Sequence, residues 1–120
     1  MKKYLAATAF ALASSFSLSA NADLMECYVD TQAYDQFRSN ACFALVYGAR
    51  SATAVFRVVG NGSEIDSVQW TGAASSCGTR GTSCSFTIRP FRPYKAEALI
   101  FYSNGTWSRV SATASYEDGR

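Results

Sequence analysis

The stretch Ile88-Arg89-Pro90-Phe91-Arg92-Pro93-Tyr94-Lys95-Ala96-Glu97-Ala98 constrains the fold of this chain more than any other. An apolar residue stands six positions before a tyrosine, a proline stands four before it, and small residues alternate after it. Proline fixes φ and cannot donate to a strand ladder, so the segment reads as a corner between two strands. Ile88 closes the inward face of the first strand, and Tyr94, Ala96 and Ala98 open the inward face of the second.

The rest of the chain repeats that grammar of short apolar runs between turn signals, which is the pattern of an all-β protein. Seven tyrosines, eight phenylalanines and two tryptophans set among valines and threonines agree with it. Ala54, Phe56 and Val58 alternate with Val55, Arg57 and Val59, and Gly60-Asn61-Gly62 then reads as the turn of a hairpin. Val68 and Trp70 share one face of the next run. Cys84, Phe86 and Ile88 share an inward face, with Ser85, Thr87 and Arg89 outward. From Tyr94 a strand runs through Ala96, Ala98 and Ile100 to Asn104-Gly105, and Val110, Ala112, Ala114 and Tyr116 return beside it. Between residues 30 and 44, Ala33, Tyr34, Phe37 and Ala41 approach helical spacing with Asp30 as N-cap, and a short helix and a looped insert both fit.

Residues 86–115 resemble the last three strands of a fibronectin type III domain, and the corner resembles the tyrosine corner of immunoglobulin-like sandwiches. Glu64-Ile65-Asp66-Ser67-Val68-Gln69-Trp70 is similar to the tryptophan strand of PKD and other immunoglobulin-like domains. The resemblance implies an antiparallel β-sandwich in which the Tyr94 hydroxyl ties the corner to nearby backbone and Trp70 fills the core between sheets. One departure matters. Antibody domains carry an inter-sheet cysteine two residues after the tyrosine, where this chain has Ala96, so its disulfides must brace loops or the first strand. The resemblance implies no activity.

Met1-Lys2-Lys3, an apolar stretch over residues 5–18 and Ala20-Asn21-Ala22 read as a secretory signal peptide of bacterial form, residues 1–22. Its apolar core is too short and too interrupted by serine to span a membrane comfortably, so no membrane insertion is expected after cleavage. The remainder, residues 23–120, is one domain of about 98 residues. A domain that small buries only about two thirds of its unfolded surface, so covalent staples help it. Cys27, Cys42, Cys77 and Cys84 all follow the cleavage site, in a chain addressed to the periplasm or the outside, and read as two disulfides. Three pairings are open, and the short separations favour Cys27 with Cys42 and Cys77 with Cys84. A zinc site competes poorly, because the chain has no histidine and no Cys-x-x-Cys spacing.

The absence of histidine removes Ser-His and Cys-His nucleophilic chemistry and histidine acid–base work, and no enzymatic activity, cofactor or metal is expected. A carboxylate pair is the remaining route to catalysis, with Glu64 and Asp66, Glu97, or Asp30 and Asp35 as candidates that are most simply solvated. Dense Asp-x-Asp calcium-loop spacing is missing. Without Lys2 and Lys3 the chain holds nine basic and nine acidic residues, and arginines scattered along it give no footprint for nucleic acid.

What remains is a binding surface. Leu99 and Phe101 face outward on the tyrosine strand, and Phe91, Arg92 and Trp107 mix aromatic and arginine character that is enriched at interfaces. These five residues are the expected contacts to a protein or glycan partner. The alternative is an inhibitor or immunity-type protein that blocks a protease or cell-wall hydrolase by presenting Arg80 at the tip of the Cys77–Cys84 ring. A third reading is an accessory subunit that pairs through an exposed strand edge. Asn61-Gly62-Ser63 and Asn104-Gly105-Thr106 match the glycosylation sequon, but turn formation alone explains both.

Overall fold

The computed structural model describes residues 23–31 and 35–120. The signal-peptide reading of residues 1–22 lies outside them. Eight strands form: β1 (Leu24–Val29), β2 (Arg38–Ser39), β3 (Ala41–Leu45), β4 (Ala52–Val59), β5 (Ile65–Gly72), β6 (Ser83–Ile88), β7 (Tyr94–Tyr102) and β8 (Trp107–Glu117), with one 3-10 turn at Ser75–Cys77. They build two four-stranded sheets, β2-β1-β4-β6 and β3-β8-β7-β5, stacked as a sandwich. Every pairing is antiparallel except β3 with β8, which is parallel. No helix among the described residues is long and apolar enough to cross a membrane.

Alternation decides which side of each strand is buried, because a strand turns successive side chains to opposite faces. Met25 and Cys27 of β1, Ala54, Phe56 and Val58 of β4, and Cys84 and Ile88 of β6 point into the core from the first sheet. Val68 and Trp70 of β5, Ala96, Ala98 and Ile100 of β7, and Val110, Ala112, Ala114 and Tyr116 of β8 meet them from the second. The β7–β8 hairpin closes at Asn104-Gly105 as its sequence implies, with Tyr94 opposite Ala114 and Phe101 opposite Trp107.

The corner between β6 and β7 is tied by its tyrosine. The Arg89 N–H donates to Tyr94 Oη at 3.0 Å, and the half-buried ring packs 6.4 Å from Phe86. Tyr94→Phe leaves the ring in place and removes one acceptor, so it is expected to cost about 1 kcal/mol. A urea midpoint unchanged by the substitution would mean the bond is not made in solution.

Both disulfides follow the short separations, Cys27–Cys42 and Cys77–Cys84. The first spans the sandwich, joining β1 of one sheet to β3 of the other. It anchors the region that helical spacing left open: residues 38–39 and 41–45 are extended, while Ala33 and Tyr34 lie outside the described residues. Helical periodicity loses here to a covalent tether and to the ladder β3 makes with β8.

One expectation needs correction. Gly60-Asn61-Gly62 is not the turn of a hairpin; β4 and β5 sit in different sheets, so the turn arches across the sandwich. Phe37, ahead of β2, packs edge-on against Tyr28 at 4.8 Å and under the Arg57 guanidinium at 3.7 Å, on the outer face of the first sheet. Both sequon asparagines build turns, Asn61 Oδ1 accepting from the Ser63 N–H at 3.0 Å and Asn104 Oδ1 from the Thr106 N–H at 3.0 Å.

Candidate functional site

The five residues expected to meet a partner do not form one patch. Leu99 and Phe101 are half-buried on the outer face of β7, and Trp107, 61% exposed, stands opposite Phe101 on β8. Phe91 and Arg92 lie at the other end of β8, where the Phe91 N–H donates to the Tyr116 carbonyl at 2.8 Å. At a rise of about 3.3 Å per residue, the nine steps from Trp107 to Tyr116 separate the two groups by about 30 Å. Proximity in sequence across the β6–β7 corner hides that separation, because β7 runs its full length away from Phe91 before reaching Phe101.

The corner end carries more exposed apolar surface. Phe43, Leu45 and Tyr47 are 61%, 46% and 76% exposed, and Phe91 is 50% exposed. Phe43 and Phe91 line one groove of about 260 Å³ with Pro93, across the C-terminal part of β8. Cys42 sets this arrangement: its disulfide holds it inward, and alternation along β3 then turns Phe43 and Leu45 outward. Phe43, Leu45 and Tyr47 were not among the residues singled out from the sequence. Residues 41–47 are apolar without a break, so they show no period, and only the outcome of the Cys42 pairing assigns the faces.

Phe91 holds its place against a backbone preference. It sits at φ 62°, in the left-handed region where a side chain other than glycine costs about 1 kcal/mol or more. The ring is half exposed, with the Arg120 guanidinium 5.7 Å from its centroid. Neighbouring segments are fixed to the same end. The Val46 and Gly48 N–H groups donate to the Glu117 and Asp118 carbonyls, each at 2.9 Å, and Tyr116 Oη donates to the Ala49 carbonyl at 3.0 Å. Burial, with the Asp118 charge, holds the Tyr116 phenol above its ordinary pKa, so it stays a neutral donor.

The Cys77–Cys84 ring carries Arg80 on its exposed side. Arg80 folds back, its Nη2 donating to the Ser76 carbonyl at 3.1 Å and its Nε to the Cys77 carbonyl at 3.4 Å. The side chain therefore lies along the 3-10 turn while remaining exposed. Trp70 closes the ring from inside, its Nε1–H donating to the Gly81 carbonyl at 3.1 Å.

The carboxylate candidates have structural company. Asp35 accepts from the Thr31 N–H at 3.1 Å and from its hydroxyl at 2.9 Å. Hydrogen bonding to Asp35, followed by burial and the Asp35 charge, raises the Asp30 carboxyl above its ordinary range. Glu64 and Asp66 are exposed, and Glu97 pairs with Lys95 at 3.6 Å. Comparisons with known protein families, with curated proteins and with solved structures each return no match for this chain.

Proposed function

We propose that this chain is an exported binding module with an immunoglobulin-like sandwich, and that it captures a protein partner through the groove between Phe43 and Phe91. The observation that carries the reading is the exposure of two aromatic rings on one groove, one of them kept at a strained backbone position. Strain of this kind persists where the surrounding structure over-determines it, and it clusters at sites of function. Phenylalanine flanked by arginine is also the composition that interfaces select. The strand order supports the immunoglobulin-like reading: β1-β4-β6 face β8-β7-β5, β3 crosses from the first sheet's side to pair parallel with the last strand, and a tyrosine ties the corner. Two disulfides fit an oxidising compartment.

The test uses two substitutions with opposite effects on folding. Phe91→Gly relieves the left-handed backbone, so the variant is expected to melt at or above the parent temperature while partner capture falls at least tenfold. Phe43→Ser, on an exposed position, is expected to weaken capture similarly with little change in melting. Capture from the organism's envelope and medium that is equal for parent and both variants would overturn the reading. Loss of capture only with Trp107→Ala would move the surface to the hairpin end.

A further inference from the structure

Arginines that are scattered in sequence converge in space. Arg50, Arg89, Arg92 and Arg120 line one cleft of about 470 Å³ beside the aromatic groove, with Asp118 as the one acidic residue in its wall. Of the nine basic and nine acidic residues in 23–120, four and one fall here, a local balance of +4 − 1 = +3 in an otherwise neutral chain. Three separate segments bring these four arginines to one end of the sandwich.

Asp118 offsets only one of them. Arg120 Nε donates to Asp118 Oδ1 at 3.0 Å and lies 2.9 Å from Oδ2, and this bond holds the Asp118 carboxyl below its ordinary range. Among the described residues, the side chains of Arg50, Arg89 and Arg92 make no ion pair and no hydrogen bond. Unpaired like charges gathered in one cleft oppose folding, so the arrangement contributes nothing to the stability of the sandwich. The backbone beneath them is nonetheless fixed. The Arg89 N–H is bonded to Tyr94 Oη at 3.0 Å, Phe91 to Tyr116 at 2.8 Å and Gly48 to Asp118 at 2.9 Å, so the guanidiniums start from a rigid frame.

We infer that this cleft binds a phosphate group. A guanidinium is always charged and offers a planar fork that matches phosphate oxygens, and several forks can share one tetrahedral dianion. A monoanionic carboxylate would leave most of the local charge unmatched. The cleft has the volume of a small-molecule site, enough for a phosphate and the sugar-sized group that carries it. The cleft adjoins the aromatic groove and shares Arg92 with it.

The test is a proton–nitrogen NMR titration of the oxidised protein with inorganic phosphate, glucose 6-phosphate, glucose and sodium chloride at matched ionic strength. Saturable shifts are expected with both phosphates, confined to residues 48–50, 89–92 and 118–120, and none with glucose or chloride. Inorganic phosphate binding as tightly as the ester would identify free phosphate as the source, and a tighter ester would identify a phosphorylated sugar. Arg89→Gln with Arg92→Gln, which removes no bond of the folded state, is expected to weaken binding at least tenfold at unchanged melting temperature. Phe43→Ser is expected to bind phosphate normally, so a failed partner reading and a failed phosphate reading are separable. Shifts that track ionic strength regardless of the anion, or undiminished binding by the double variant, would overturn the inference.

Discussion

Trp70→Ala is expected to lower the melting temperature by about 20 °C or to leave the chain unfolded at 37 °C. The indole is 2% exposed and sits opposite Ala98, where the small side chains of β7 leave the space it fills. Truncating a buried tryptophan costs about 3 to 5 kcal/mol, through lost transfer energy and the cavity left behind. The Nε1–H bond to the Gly81 carbonyl at 3.1 Å disappears as well, which leaves only the backbone bond from Trp70 to Gly78 between β5 and the second disulfide ring. That loss is a large share of the roughly 5 to 15 kcal/mol that a domain of this size holds, and each kcal/mol moves the melting temperature by about 4 to 8 °C. Thermal unfolding followed by circular dichroism reads it. A shift below about 5 °C would mean that Trp70 does not fill the sandwich.

Replacing Cys27 and Cys42 together with alanine is the second large effect, and it joins stability to function. The chain-entropy account assigns about 3 kcal/mol to a loop of 15 residues and about 2.4 kcal/mol to one of 7, which are the separations of the two disulfides. The difference should exceed that arithmetic. Cys27–Cys42 joins strands of opposite sheets, whereas the Cys77–Cys84 ring keeps backbone bonds from Trp70 to Gly78 at 2.8 Å and from Val58 to Thr82 at 3.0 Å. Freed from Cys27, β3 keeps its parallel ladder to β8 and the Asn40 bond to the Met25 carbonyl, and the outward setting of Phe43 loosens. Cys27→Ala with Cys42→Ala should therefore melt about 12 to 24 °C lower and lose partner capture. The matching change at Cys77 and Cys84 should melt less far down and keep capture. Equal loss of stability in the two pairs, with capture intact in both, would show that the inter-sheet staple does not organise the surface.

These effects also mark where the sequence is readable. Trp70, Tyr94 and the β7–β8 hairpin announce themselves because alternation is strict there and a proline corner and an Asn-Gly turn bound it. The disulfides follow because loop closure favours near neighbours when four cysteines share one small domain. The legible parts are local. The arch at Gly60-Asn61-Gly62 uses the residues of a hairpin turn, and only the partners of β4, which are β1 and β6, send the next strand to the other sheet. The strand β3 has no period to read, since its faces are assigned by a disulfide to β1 and a ladder to β8, more than sixty residues later. The same non-local pairing brings Arg50 and Arg120 beside Arg89 and Arg92, and separates Phe91 from Phe101 although ten positions divide them.

Photocrosslinking from single positions tests the central claim most directly. A photoreactive residue would be placed at Phe43, at Trp107 and, on the outer face of the opposite sheet, at Thr87, each in the oxidised protein. The account expects one discrete adduct from position 43, competed by unlabelled protein, and none from 87 or 107. An adduct confined to position 107 or 87, or equal labelling from all three, would contradict a partner surface at the corner end.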